Sequence, residues 1–140
     1  MMTGTAKLTR IEQSIDIDCD PERVFEVLID PNYIPVYAAG IEGAEIIEAA
    51  KEGMAGAKIE MLTKGGNILH ATVLTVDPPH RIVIEDERGV RSTWDVTRTP
   101  EGKVRLMNTL EGPVSPAKAQ RLAYDADVKF QALAATLAGK

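Results

Sequence analysis

The sequence contains little of what metal sites and covalent catalysts require. Of its 140 residues only Cys19 is a cysteine and only His70 and His80 are histidines. A single cysteine excludes an internal disulfide and is typical of a reducing compartment. Asp18 and Asp20 flank Cys19 and raise the pKa of its thiol, which argues against a nucleophilic role. The histidines lack partners at ligand-like spacing, and no phosphate loop, nucleophile elbow or zinc motif is present. We therefore expect no metal and no other cofactor.

Long apolar runs and an excess of positive charge are also absent. The 16 Lys and Arg residues are scattered, and 21 Asp and Glu residues leave a net charge of −5. Because nucleic-acid binding depends on clustered basic residues, we expect no nucleic-acid partner. No apolar run approaches the length of a membrane span, and the first residues lack the order of a signal peptide. These features predict one cytoplasmic domain over residues 1–140, with no integral membrane segment and no indication of oligomeric state.

Two Asp-Pro pairs predict helix starts early in the chain. Asp20 and Pro21 suit the cap and first position of a helix over residues 21–29, with the Asp20 carboxylate accepting a bond from a first-turn amide. Asp30 and Pro31 repeat the pair ten residues later. Because Pro35 cannot continue a helix from Pro31, we expect a turn and then a short helix near 34–39, which Gly40 ends.

Strand patterns surround these helices and a long helix follows them. Residues 11–17 alternate apolar and polar, which predicts a first strand that ends at Cys19. Six more strands are predicted between turn sequences such as Glu52-Gly53, at residues 42–50, 55–64, 68–77, 81–88, 90–99 and 103–111. From Ser115, a good N-cap, a helix with one apolar stripe runs to Gly139, with Asp125 and Lys129 as an i,i+4 pair on its other side. The pattern predicts an α+β fold with an antiparallel sheet.

Several segments resemble one protein superfamily. Residues 20–25, Asp30 and Pro31, residues 37–41 and the segment 73–82 with its paired prolines are similar to the START-like, Bet v 1-like superfamily, especially its small polyketide cyclase/dehydrase-like bacterial members. Tyr37 stands where many relatives have Trp. The resemblance implies a helix-grip fold: a seven-stranded antiparallel sheet wrapped around a long C-terminal helix, with two short helices between strands 1 and 2. It also implies a pocket for a small apolar molecule such as a lipid, isoprenoid or polyketide-like compound.

Strand alternation indicates which side chains face such a pocket. Trp94 is expected to point inward toward the long helix, near Leu122 or Phe130. The inward positions include three polar residues, which either hydrogen-bond to one another or to water, or contact a ligand. Two tyrosines on the short-helix segment are either an entrance gate with wet hydroxyls or ordinary packing residues. The candidate ligand-binding residues are Gln13, Tyr33, Tyr37, Met61, Ser92, Trp94, Asn108, Leu122 and Phe130.

Three functions are compatible with this pocket. The leading hypothesis is a soluble carrier or sensor of a small apolar molecule. The second is a cyclase or dehydratase, which needs a titratable group inside the pocket. His70 is the best candidate for that group, because the orientation of its strand is ambiguous, whereas Glu85 and Glu87, which share one strand face, are interpreted as a solvated acidic edge. The third is a protein-binding module with a filled cavity and an exposed apolar patch.

Overall fold

A computed structural model describes residues 8–38, 40–49 and 55–138. The strands are β1 (Leu8–Ile17), β2 (Ile41–Glu48), β3 (Lys58–Thr63), β4 (Ile68–Asp77), β5 (Arg81–Asp86), β6 (Arg91–Arg98) and β7 (Val104–Pro113). The helices are α1 (Pro21–Ile29), α2 (Ile34–Tyr37) and α3 (Pro116–Ala138), with a 3-10 turn at Pro31–Tyr33. The predicted turn at residues 52–53 and the predicted helix end at Gly139 lie outside the described residues.

The seven strands form one antiparallel sheet in the order β1-β7-β6-β5-β4-β3-β2. Short turns join the consecutive neighbours from β3 to β7, and β1 pairs with the last strand, β7. That pairing sets Gln13 opposite Asn108, and Asn108 lies opposite Trp94 on β6. The predicted helix-grip fold is confirmed, although β1 ends at Ile17, two residues before the predicted end.

The two Asp-Pro pairs begin helical segments by different means. Pro21 opens α1, but the Asp20 side chain makes no cap hydrogen bond, so the predicted carboxylate cap is wrong; its backbone oxygen accepts from the Val24 amide at 3.1 Å. The Asp30 carboxylate does accept from the Asn32 amide, at 3.0 Å. The helical segment that begins at Pro31 ends before Pro35, as predicted, because that proline occupies the first turn of a separate helix, α2.

Helix α3 is buried unevenly along its length. Ser115 caps it by accepting a hydrogen bond from the Lys118 amide at 3.3 Å. From Ala126 onward the apolar stripe of α3 is buried in the core, at Ala126, Phe130, Leu133 and Leu137. Before Ala126 the same stripe, including Leu122, is only half-buried. The sheet therefore grips the C-terminal half of the helix and leaves space beside its N-terminal half. No described helix is long and apolar enough to cross a membrane.

Candidate functional site

A cavity of about 70 Å³ lies between the sheet, α2 and the first half of α3. Its wall is mainly aliphatic and aromatic, with few polar side chains. Six of the predicted residues lie in this wall: Tyr37, Met61, Ser92, Trp94, Asn108 and Leu122. The wall also contains Ile34, Ala38, Ile41, Ile59, Ile84, Asp86, Arg88, Val90 and Leu110.

Aromatic rings form one end of the cavity. The Trp94 ring lies 5.0 Å from the ring of Tyr37 and 5.9 Å from that of Phe130, measured between centroids. Trp94 is 2% exposed, so its predicted inward orientation is confirmed. Phe130 packs against Trp94 but is not part of the cavity wall.

Tyr37 is a packing residue with an internal hydrogen bond. It is buried, and its hydroxyl donates to the Leu28 carbonyl oxygen at 2.6 Å. Burial raises the pKa of this phenol, and the Asp30 charge adds to the shift. Of the two alternatives for Tyr37, the gate with a wet hydroxyl is excluded and ordinary packing is confirmed. Tyr33 packs half-buried against the core and does not contribute to the cavity wall.

The polar residues of the inner face are linked in part. The Asn108 amide nitrogen donates to the Ser92 hydroxyl and to the Thr93 carbonyl oxygen, both at 3.2 Å. Gln13 lies opposite Asn108 on β1 but is not in the cavity wall. Its Oε1 atom is buried and finds no hydrogen-bond partner in the described part of the chain.

A charged pair also lies in the wall. The Asp86 side chain is 7% exposed and accepts from Nε and Nη2 of Arg88 at 3.2 and 2.7 Å. The same carboxylate accepts from the amides of Arg88 and Val90 at 2.8 and 3.3 Å, where Gly89 has a φ of 86°. Asp86 thereby fixes the β5–β6 turn while its charge stays paired.

Glu85 and Glu87 lie on the solvated face as predicted, with side chains 36% and 52% exposed, but the sequence analysis assigned no role to Asp86 between them. Alternation along β5 carries the signal, because Ile82, Ile84 and Asp86 share a face and Ile82 is buried. Its acidic neighbours Glu85 and Glu87 lie on the outer face and made the whole segment resemble a solvated edge. The following Gly89 is the second signal, since a glycine after a short acidic run is typical of a hairpin turn.

His70, by contrast, lies on the outer side of the sheet. Its side chain is 52% exposed, with ring nitrogens 3.4 Å from a Glu60 oxygen and 3.5 Å from a Glu87 oxygen. The orientation of His70, which the sequence left open, is therefore outward, away from the cavity. His70 therefore cannot be the titratable group that the cyclase or dehydratase hypothesis requires inside the pocket.

A groove of about 880 Å³ adjoins the cavity. It lies between the first half of α3, the β3–β4 hairpin and the β5–β6 turn, where α3 is only half-buried. Ile41, Arg88 and Leu122 belong to the walls of both spaces, so the groove lies directly beside the cavity; we call the groove the mouth of the cavity.

Hydrogen bonds tie α3 across this mouth. The Asp125 carboxylate accepts from the Gly40 amide and from the Lys64 ammonium on the opposite hairpin. Partial burial alone raises the pKa of Asp125, but the bonds from Lys64 and Gly40 outweigh it and the pKa lies below its ordinary value.

Lys129 makes a second tie one helical turn further along. Its ammonium donates to the Pro35 carbonyl oxygen at 2.7 Å and to that of Ile41. Burial lowers the pKa of Lys129, against the effect of Asp125. The predicted attraction between Asp125 and Lys129 is present, because each charge favours the charged form of the other. The pair does not lie on a free side of the helix, however, since both side chains hold α3 to neighbouring segments.

Metal-ligating and nucleophilic groups are sparse at the site. Within residues 8–38, 40–49 and 55–138 no three His, Cys, Asp or Glu side chains come together as metal ligands would. Cys19 lies outside the cavity wall. Burial and the neighbouring Asp20 raise the pKa of its thiol.

Comparison with known proteins gives a family and several similar folds. The family model described as "Polyketide cyclase / dehydrase and lipid transport" matches residues 9–138. No match is found among curated protein sequences. A crystal structure of a Chromobacterium violaceum protein is 20% identical, with a TM-score of 0.67, and the match covers 93% of this chain and 98% of that one.

Two further solved structures have the same fold. Ara h 8.0201 is 13% identical, with a TM-score of 0.72 and coverage of 96% of this chain and 100% of the other. The Aha1 dimer from Colwellia psychrerythraea is 14% identical, with a TM-score of 0.72 and coverage of 92% and 96%. At these identities the likeness concerns the fold alone.

Proposed function

Because the chain belongs to the polyketide cyclase/dehydrase and lipid transport family, we propose that it is a carrier or sensor that binds a small apolar molecule between the sheet and α3. The observation that carries this proposal is that an apolar cavity and an open groove adjoin and share Ile41, Arg88 and Leu122 as wall residues. Ligand sites in proteins usually enclose about 300–1,000 Å³. The cavity of about 70 Å³ is too small for a whole ligand, whereas the groove of about 880 Å³ is large enough.

These sizes suggest how the ligand lies. Its bulk occupies the groove, and one apolar end passes Leu122 into the cavity beside Trp94. The wall there is formed by side chains such as Met61 and Ile84, which exclude water from an apolar group. Lipids, isoprenoids and polyketide-like compounds can each place an apolar end in the cavity while the rest of the molecule lies in the groove.

A cyclase or dehydratase remains the second candidate, because Asp86 gives the cavity wall a titratable group. A general base needs a free lone pair within reach of a substrate proton. Asp86 already accepts four hydrogen bonds from Arg88 and Val90. Because its carboxylate oxygens are already occupied, Asp86 is a poor general base, which favours binding over catalysis. We expect Asp86→Asn to disturb the β5–β6 turn more than it changes any catalytic activity.

Titration with N-phenyl-1-naphthylamine, an uncharged fluorescent probe, tests the proposal. Trp94 is the only tryptophan, so a probe bound in the groove with one ring in the cavity quenches its emission and gains fluorescence by energy transfer. At one hundred times its dissociation constant the probe is expected to add about 2.7 kcal/mol to the free energy of unfolding.

A matched pair of helix variants locates the probe. Leu122→Phe narrows the passage between groove and cavity, so we expect weaker binding and less energy transfer. Val128→Phe adds the same ring to an exposed position on α3 that lines neither space. Equal binding by both variants would place the probe elsewhere, and no binding by the unaltered protein would reject the carrier hypothesis.

A further inference from the structure

The mouth of the cavity is cationic on a chain that is acidic as a whole. We propose that the ligand is an amphiphile with an anionic head group, which Lys118, Arg121 and Arg88 hold in the groove while the apolar tail enters the cavity. This inference rests on the proposed function, because it concerns the ligand of the same site.

The charges of the groove do not balance. Its walls contain four cationic side chains, Lys64, Arg88, Lys118 and Arg121, and one anionic side chain, Asp125. Asp125 pairs with Lys64, and Arg88 pairs with Asp86 of the cavity wall. In the described part of the chain the ammonium of Lys118 and the guanidinium of Arg121 have no acidic partner. Two cations therefore remain uncompensated at the mouth, although the net charge of the chain is −5.

Helix geometry brings these cations next to the entrance. Lys118, Arg121, Leu122 and Asp125 follow the i, i+3, i+4, i+7 spacing of one helix face, and all four lie in the groove wall. Leu122 also belongs to the cavity wall. A ligand whose head contacts Lys118 and Arg121 therefore has a short path over Leu122 into the apolar interior.

Arg88 adds an oriented donor at the junction. Its Nε and Nη2 atoms are held by Asp86, which fixes the plane of the guanidinium. Nη1 has no acceptor among the described residues. Because Arg88 lies in both walls, this nitrogen can donate to a carboxylate or phosphate oxygen at the point where head and tail meet. An uncharged or cationic head at the same place would leave the positive charges unpaired.

Three probes with the same ten-carbon tail separate head-group charge from tail burial. Decanoate, decan-1-ol and decyltrimethylammonium are titrated below the concentrations at which they aggregate, with Trp94 emission as the readout. We expect decanoate to bind roughly tenfold more tightly than decan-1-ol, and decyltrimethylammonium to bind least. The advantage of decanoate is expected to shrink as salt is added, because exposed charges are screened.

Two double variants with the same change of charge test the residues. Lys118→Gln with Arg121→Gln removes the uncompensated cations and is expected to weaken decanoate binding roughly tenfold, with no change for decan-1-ol. Arg98→Gln with Lys103→Gln removes two exposed cations near the β6–β7 turn, at the other end of β6. This control is expected to bind all three probes as the unaltered protein does.

The outcomes distinguish the proposed anionic head group from the carrier or sensor function on which it rests. Equal affinity for decanoate and decan-1-ol, or the same loss of decanoate binding in both double variants, would overturn the anionic head group and leave the carrier hypothesis intact. Binding to vesicles containing phosphatidylglycerol, without any response to decanoate, would also overturn it in favour of a membrane surface. If no probe, including N-phenyl-1-naphthylamine, changes the emission of Trp94, both proposals fail.

Discussion

The ring of Tyr37 meets the ring of Trp94 nearly edge-on, at an angle of 76° with centroids 5.0 Å apart. This arrangement places the positive edge of one ring against the negative face of the other. The hydroxyl of Tyr37 is anchored on Leu28 at the end of α1. One side chain therefore links α1, α2 and the cavity wall on β6.

Tyr37→Phe tests this link. The variant keeps the ring contact but leaves the buried Leu28 carbonyl oxygen without its hydroxyl donor, so we expect a loss of roughly 1–2 kcal/mol in the free energy of unfolding. Urea denaturation followed by circular dichroism measures it. Tyr124→Phe is the control, because Tyr124 is 74% exposed on α3. An equal, small effect of both changes would mean that the hydroxyl of Tyr37 contributes nothing.

The helices and strands were predictable because their signals are local and repeat, whereas their helix-grip arrangement followed from the family resemblance. Alternation places Trp94 inward, Pro35 separates the short helices, and Ser115 begins α3, all without knowledge of distant contacts. Asp20 shows the limit of such signals. A sequence indicates that a carboxylate stands at a helix start, but the side-chain rotamer depends on neighbours that only the folded chain supplies.

Asn108→Leu separates a structural role from a role in ligand contact. Asn108 donates to Ser92 and to the Thr93 carbonyl oxygen. If these bonds are its main role, the variant loses roughly 1–2 kcal/mol of stability with or without a ligand. We expect that result, measured as the urea midpoint with and without N-phenyl-1-naphthylamine.

Ser92→Ala is the companion variant. It removes one partner of Asn108 and leaves the other, so a smaller loss is expected. An Asn108→Leu protein that is as stable as the unaltered one, with altered probe affinity, would instead assign the amide to the ligand.

Chelation is expected to leave the protein unchanged. The sequence offers one cysteine and two histidines, and His70 faces outward between two glutamates. Thermal unfolding with and without EDTA checks this. A drop of several degrees with EDTA would indicate a metal that stabilises the folded state.

The site was harder to predict than the fold, for a physical reason. Tyr37, Met61 and Trp94 were found because apolar side chains on the inner face of a strand or helix have few other places to lie. Asp86 and Arg88 were missed because their burial depends on a bond between them that closes a turn. The groove could not be predicted at all, since it arises where α3 leaves the sheet.

The tie between Asp125 and the Lys64 hairpin predicts acid sensitivity. The pKa of Asp125 is lowered from 3.8 in the folded protein, so the folded state binds this proton less readily than the unfolded chain. The stabilisation is complete above the unfolded pKa and is lost as the pH falls through the folded pKa.

Asp125→Asn removes this dependence at one position. The amide oxygen still accepts from Gly40, but the charge that attracts Lys64 is gone, so we expect a loss of roughly 1 kcal/mol at pH 7. Below pH 4 the gap between variant and unaltered protein is expected to close, because the carboxylate takes up its proton first in the unfolded chain and then, at lower pH, in the folded protein. Urea midpoints measured from pH 7 to pH 2.5 test both expectations. Asp127→Asn changes an exposed carboxylate on the same helix and is expected to alter neither the midpoint at pH 7 nor its acid dependence. A gap that stays constant across this range would show that Asp125 stabilises the mouth through packing and not through its charge.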